Sequence, residues 1–256
     1  MNPILLEQNG PIWVIRMNRP EVYNALNAAL IHALREAFEA AASDDQVRAV
    51  VLMGEGKAFC SGADLKTGII DPDLGQVLRQ TYNPMILSMR ALNKPIIGAV
   101  QGAAVGAGCS LALACDYLIA HPQAYFSELF VQIGLSPDAG STAFLVQSLG
   151  YHRAFALAAL GEKIHAQEAH RLGLVQQVAT AEAWEQEVMD LAQRFAQAPT
   201  QALAHIKANL QKAAALPLED VLEMEAKTQS ALGRSEDFAE GVMAFLQKRV
   251  PQFKGR

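Results

Sequence analysis

Three cysteines in 256 residues are too few to build a disulfide framework, and Cys60, Cys109 and Cys115 show no metal-ligand spacing. Buried thiols in a reducing compartment are the simplest reading for all three. No apolar run approaches the roughly 20 residues a membrane-spanning helix requires. The opening stretch, MNPILLEQNG, lacks a basic region followed by a long apolar core, so no secretory signal is expected and a cytoplasmic location is. Basic clusters are missing as well. With a net charge of −5 and no run of Lys or Arg, nucleic acid is not an expected partner. Internal repeats and low-complexity segments are also absent.

What the chain does have is apolar mass. Hydrophobic residues make up 51% of it, enough for one large α/β core or a core plus a small second domain. Two short runs, Ile4 to Gln8 and Ile12 to Met17, flank Asn9-Gly10, a strong hairpin signal. The second run is mostly apolar, so both its faces should be covered. A helix is expected from Asn27 to about Ala42, with Leu30, Ala33, Leu34 and Phe38 on one face. Ala49 to Met53 reads as a buried strand, followed by a glycine-rich loop from Gly54 to Leu65. Lys66 to Asp73 reads as irregular. Leu78, Tyr82, Met85, Ile86 and Met89 then fall at helical spacing in one helix from about Leu74 to Leu92. Tyr117 to Ala120 reads as a strand. Ser136-Pro137-Asp138 reads as the start of a helix to about Leu149, with Asp138 as its N-cap. Beyond Gly150 the pattern is almost wholly helical, near residues 151–160, 166–171, 181–197, 200–216, 218–232 and 235–248. Alternating strands and helices followed by helices alone predict an α/β core with a helical C-terminal extension.

The stretch from Pro95 to Asp116, PIIGAVQGAAVGAGCSLALACD, organises the rest. A β-branched apolar run suits a buried strand. It crosses Gly102, Gly106 and Gly108 into an apolar run that can start a helix. Such a turn leaves backbone N–H groups free at one spot, with the helix dipole favouring negative charge there. A phosphate, a carboxylate or a developing oxyanion would each fit. A P-loop does not, because Gly108 is followed by Cys109-Ser110 rather than Lys and Ser or Thr. The glycine spacing is also wrong for a dinucleotide fingerprint. Close helix–strand packing on small residues remains an equally good account of this stretch alone.

Several segments, taken together, resemble the enoyl-CoA hydratase/isomerase (crotonase) superfamily. They include Asn18-Arg19-Pro20 with Asn24-Ala25-Leu26, the loop Ala58-Phe-Cys-Ser-Gly-Ala-Asp64-Leu65, and Lys94-Pro95 leading to Gly106-Ala-Gly108. Cys115-Asp116, Gly134-Leu-Ser-Pro-Asp-Ala-Gly140, Gly173-Leu-Val175 and the ending Glu240 to Arg249 continue the likeness in order along nearly the whole chain. The resemblance implies an α/β chain folded as a crotonase-like β-β-α superhelix. Its core would span residues 1–197, with a helical C-terminal trimerisation region over 198–256. The expected assembly is a homotrimer or a dimer of trimers, and the expected partner an acyl-CoA thioester. Coenzyme A enters as part of the substrate; no metal or other cofactor is implied.

By the same resemblance, one backbone N–H from each glycine-rich loop, those of Ala63 and Ala107, binds the thioester oxygen. Val22, Ala25, Lys57, Ala58, Asp64 and Leu65 fall near the pantetheine and adenine, and Phe245 and Lys248 near the nucleotide end, often from a neighbouring subunit. Leu78, Tyr82, Met85, Phe130 and Leu135 are candidates for the acyl pocket, with core packing an equal alternative for those on the helix. Family hydratases carry two glutamates, and the matching positions here hold Ser110 and Phe130, which cannot exchange a proton usefully. Asp138 instead matches the catalytic aspartate of dienoyl-CoA isomerases and of the phenylacetate-pathway ring isomerases. The expected chemistry is therefore a shift of 3-enoyl-CoA to 2-enoyl-CoA, conversion of 1,2-epoxyphenylacetyl-CoA to the oxepin, or both, with Asp138 as proton shuttle. Apolar neighbours such as Phe130 and Leu135 should raise its pKa. A hydratase with a non-standard acid or base, a dehalogenase and a catalytically silent acyl-CoA binder are the alternatives. Glu128 lies out of register with the family's glutamate and reads mainly as a solvated or structural carboxylate. The six histidines are assigned no role.

Overall fold

The structure, a computed structural model, describes residues 2–66 and 73–256. Most of the stretch read as irregular between Lys66 and Asp73 lies outside the described residues. The chain opens with a hairpin of β1 (Ile4–Asn9) and β2 (Ile12–Met17), turning through Gly10 at φ +60°. Then come α1 (Ala28–Ser43), capped by the Asn27 side chain on the Leu30 N–H at 2.9 Å, and β3 (Ala49–Gly54). The expected single helix is two, α2 (Leu74–Gln80) and α3 (Tyr82–Ala91). Pro84 supplies the reason. Its ring would collide with the Gln80 carbonyl in a continuous helix, so the chain restarts at Tyr82 and Pro84 falls in a first turn.

Next follow β4 (Ile96–Val100), β5 (Ala103–Val105), α4 (Ala107–Leu113), β6 (Tyr117–Ala120) and β7 (Tyr125–Ser127). A 3-10 turn, Leu129–Ile133, leads to α5 (Ser141–Leu149) and α6 (Tyr151–Leu160). The C-terminal part is not wholly helical: β8 (Ile164–His165) and, after α7 (Ala166–Arg171), β9 (Gln177–Val178) interrupt it. The helices α8 (Trp184–Gln197), α9 (Thr200–Ala213), α10 (Leu218–Leu232) and α11 (Glu236–Gln247) complete it.

The larger sheet runs β1-β2-β3-β4-β6-β9, parallel except for the β1–β2 hairpin. A smaller sheet runs β5-β7-β8. Alternation along the central strands assigns opposite faces to two apolar layers. Ile15, Met17, Val50, Leu52 and Ile96 pack with Leu30, Leu34 and Phe38 of α1 and with Met85 and Met89 of α3. Val14, Val51, Ile97 and Ile119 pack with Val188, Leu191 and Ala192 of α8. With both faces covered, β2 is apolar throughout, as its composition predicts. In α9 and α10 no residue is buried. Lys207 clamps α9 to the core, donating to Asp116 Oδ2 at 2.8 Å and to the Met89 carbonyl at 3.0 Å. At the amino end of β3, Arg48 donates to the carbonyls of Ala198 and Phe253 at 2.7 and 2.9 Å.

Candidate active site

Both glycine-rich loops leave the carboxyl ends of neighbouring strands, β3 and β4. An isolated bridge between Cys60 and Ala104 lays one against the other. Cys60 donates to the Ala103 carbonyl at 2.9 Å, and Val105 donates back to Cys60 at 3.0 Å. Two glycines make the approach possible. Gly62 has φ +98°, and a Cβ there would lie 2.8 Å from the Val105 carbonyl oxygen and 3.7 Å from the Ala107 nitrogen. A Cβ on Gly108 would meet the Cys60 carbonyl carbon at 2.8 Å. Only glycine allows this contact.

A second bridge, Leu26 to Ala63, orients the first donor. Leu26 donates to the Gly62 carbonyl at 2.8 Å and accepts from Asp64 at 2.9 Å, so the Ala63 N–H faces away from Leu26. Ala63 is exposed. Ala107 is the first residue of α4, where an N–H has no intrahelical partner. The structure thus brings two backbone donors, Ala63 and Ala107, to adjoining loops.

The segment 19–26 supports this arrangement, and much of it was not assigned from sequence. Asn24 is fully buried at φ +56° and donates its amide to the carbonyls of Glu55 and Ala58 at 3.0 and 2.8 Å. Arg19 pairs with Asp64 at 2.8 Å and donates to the Ala25 carbonyl. Asp64 is therefore buried in an ion pair that holds the loop. Val22 and Ala25 are carried alongside, Val22 accepting from Ser61 Oγ at 3.2 Å. Ala58 is buried, whereas Lys57 and Leu65 are exposed. Lys57 lines a polar cleft of about 480 Å³ with Arg16, Glu55, Gln101 and His121. Phe245 and Lys248, at the end of α11, are exposed, and the segment that follows them is anchored at the opposite, amino end of β3 through Arg48 and Phe253.

Asp138 is not a helix cap. Ala139 and Gly140 both take positive φ, +51° and +86°, so the chain turns once more before α5 begins at Ser141. Only the Asp138 carbonyl contributes, accepting from the Ser141 N–H at 3.0 Å. Positive φ at an alanine is strained, and such strain concentrates at functional turns. The carboxylate Oδ1 is buried with no hydrogen-bond partner among the described residues. Burial alone lifts this carboxyl from its ordinary 3.8 up to about 6. Tyr82 lies close enough that burial first, and then the charges of Asp138, Cys60 and Asp64, push its hydroxyl far above its usual range.

Phe130 is buried, its ring 3.9 Å from where a Gly106 side chain would begin. Ser110 is fully buried and turned back onto the Gly106 carbonyl at 3.3 Å. Met85 is fully buried in the core and Leu78 partly so. Leu135 is placed differently from expectation. It is 40% exposed and lines a groove of about 380 Å³ with Val131, Leu145, Tyr151 and Phe155. None of that groove's lining comes from the two loops or from α2 and α3. Glu128, in contrast, is fully buried, with burial pushing its carboxyl up to about 7.

Comparison with known proteins fits this geometry. The family model described as enoyl-CoA hydratase/isomerase matches residues 7–256. A probable enoyl-CoA hydratase of Rhodobacter capsulatus is 44% identical, covering 99% of this chain and 98% of its own. The 1,2-epoxyphenylacetyl-CoA isomerase of Escherichia coli is 38% identical over the full length of both. The crystal structure of an enoyl-CoA hydratase subunit I from Geobacillus kaustophilus superposes with a TM-score of 0.94 at 36% identity, covering 99% of this chain and 98% of that one. Likeness of this extent in sequence and in the path of the backbone shows the crotonase fold, and the chain belongs to the enoyl-CoA hydratase/isomerase family.

Proposed function

We propose that the protein is an acyl-CoA isomerase that shifts a 3-enoyl-CoA double bond to the 2-position, with Asp138 as its single proton shuttle. The observation that carries this reading is the desolvated, unpartnered carboxylate oxygen of Asp138, followed by a turn in which Ala139 and Gly140 take positive φ, while Ser110 and Phe130 stand where a hydratase of this family would carry its glutamates. Asp138 takes the C2 proton of the substrate. The negative charge moves to the thioester oxygen, where the Ala63 and Ala107 N–H groups receive it. The proton then returns from Asp138 to C4, so no atom is gained or lost. Each fixed donor on such an oxygen is worth about 3 kcal/mol of barrier. A carboxyl near 6 is a better base than an ordinary aspartate and still ionised at neutral pH. The proposed steps use no metal or redox cofactor.

Conversion of 1,2-epoxyphenylacetyl-CoA to the oxepin is the second substrate class we assign, supported by the 38% identical isomerase; the same oxyanion site would serve while the epoxide carbon–carbon bond opens. The competing reading is hydration, favoured by the name of the 44% identical relative. It requires a second carboxyl that reaches water and substrate, and Glu128, at 0% exposure, does not reach them. A silent acyl-CoA binder would leave the buried, unpartnered Asp138 oxygen and the strained Ala139 that follows it unexplained. We place the Phe245 and Lys248 contributions in the site of a neighbouring copy, within a trimer or a pair of trimers in the cytoplasm.

The test is turnover of trans-3-hexenoyl-CoA and crotonyl-CoA by wild type and Asp138→Asn, with acyl-CoA binding measured on both. Isomerisation by wild type, and loss of orders of magnitude in a variant that still binds, is expected. Full activity in the variant would sink the assignment of Asp138. Hydration without isomerisation would favour the hydratase, and binding without turnover the silent binder.

A further inference from the structure

Behind Asp138 stands a second carboxyl that the proposed reaction does not use. Glu128 precedes the 3-10 turn and is fully buried. Its Oε1 accepts from Ser141 Oγ at 2.7 Å, and its Oε2 is buried with no conventional hydrogen bond among the described residues, only the weak thiol donor of Cys109 lying against the carboxyl. Ser141 also donates its backbone N–H to the Asp138 carbonyl at 3.0 Å. One residue thus ties both carboxyl-bearing segments together. The titratable groups that bear on Glu128 are Asp138, from the turn, and Cys109, from α4. Burial first, then the Glu128 charge, holds the Cys109 thiol well above its ordinary range, so it stays neutral. No ion pair among the described residues includes Glu128.

We propose that Glu128 is a positioning residue that supports turnover only as the uncharged acid, and that its ionisation switches the isomerase off. This rests on the reading of Asp138 as the base. Two carboxyls in one poorly solvated region resist ionising together. Burial, with a smaller push from Asp138, lifts Glu128 to about 7 against the opposing Ser141 and Cys109 contacts. Asp138 keeps contact with solvent that the fully buried Glu128 lacks, and burial lifts it less, to about 6. As pH rises, Asp138 therefore loses its proton first, which opens a window with one anion at the site. Midway through the reaction Asp138 carries the substrate proton and the thioester oxygen the charge. An ionised Glu128 would hold that proton on Asp138 and oppose its return to C4, and it would repel the dienolate. Glu128 itself neither gives nor takes a proton.

The experiment is a pH profile of kcat on 3-enoyl-CoA for wild type, Glu128→Gln and Ser141→Ala, with the carboxylic C=O infrared band followed in substrate-free protein. Wild type should give a narrow bell. Glu128→Gln keeps the acid limb and loses the alkaline one, so its rate relative to optimum at pH 8.5 exceeds that of wild type by on the order of tenfold. Ser141→Ala removes a contact that favours the charged form, which moves the alkaline limb upward. One component of the infrared band should disappear as pH rises through the alkaline limb and be missing in Glu128→Gln, whereas the Asp138 component, lost near 6, remains. An unchanged alkaline limb in Glu128→Gln, or a uniform slowing at every pH, would mean a structural role only. Absence of any protonated band at pH 6 in Asp138→Asn would overturn the uncharged acid without reference to turnover. Full activity in Asp138→Asn would remove the base assignment and this proposal with it.

Discussion

A buried carboxylate oxygen without a partner should cost the fold something, and Asp138 allows that cost to be measured. Replacing it with Asn keeps the shape and removes the charge. Burial raises the carboxyl from 3.8 to about 6 in the folded protein, so between these values the folded chain holds a proton that the unfolded chain has lost. Wild-type stability therefore falls as pH rises through about 4 to 6, and it stays lowered above that range. A displacement of about 2 in pKa corresponds to about 3 kcal/mol at most. The side chain is only partly buried, and screening by solvent reduces the figure to about 1–2 kcal/mol. Asp138→Asn should accordingly melt about 2–8 °C above wild type at pH 8 and with it at pH 4. Thermal unfolding at the two pH values, at matched protein concentration, is the assay. Identical melting at both, or a less stable variant at pH 8, would show that the carboxylate is favourably solvated or paired, and the desolvation argument would fail. Greater stability with lost turnover is the signature of a group held for chemistry.

Two further outcomes follow from the loops and from α11. Gly108→Ala drives a Cβ to 2.8 Å from both the carbonyl carbon and the Cβ of Cys60; it should destabilise the protein by about 1–3 kcal/mol and slow turnover more than it weakens acyl-CoA binding, as read by denaturant titration and steady-state kinetics. Lys248→Ala should raise the KM for acyl-CoA several-fold with little change in kcat, and mixing it with an inactive Asp138→Asn chain should restore tight sites only if Lys248 serves a neighbouring subunit; unchanged KM would remove Lys248 from the site.

The strands and long helices were legible because each has a period long enough to read. Ile12 to Met17, with residues facing both layers, and the α1 face of Leu30, Leu34 and Phe38 behave as their spacing requires. The break at Thr81 was missed, because the apolar spacing runs straight through it, although Pro84 marks it. The short strands β5, β8 and β9, of two or three residues, carry no period. Their pairing is imposed by tertiary neighbours.

The site divides along the same line. Spare donors on glycine-rich loops are local features, so the glycines point to free N–H groups, and the family resemblance then names Ala63 and Ala107. Asp138 was expected to cap a helix because Ser-Pro-Asp precedes an apolar run. The positive φ of Ala139 and Gly140 delays the helix to Ser141 and releases the carboxylate from capping. Had Asp138 capped the helix, backbone donors would have favoured its charged form and lowered its pKa. The extra turn therefore has a chemical consequence: it turns a would-be cap into a desolvated carboxyl, the group that the proposed reaction needs as its base. Glu128 shows the converse. Its partner Ser141 is remote in sequence, so neither its burial nor its coupling to Asp138 could be read from spacing. Only folding brings the two acids into one electrostatic unit, and the order in which they ionise then follows from how much water each retains.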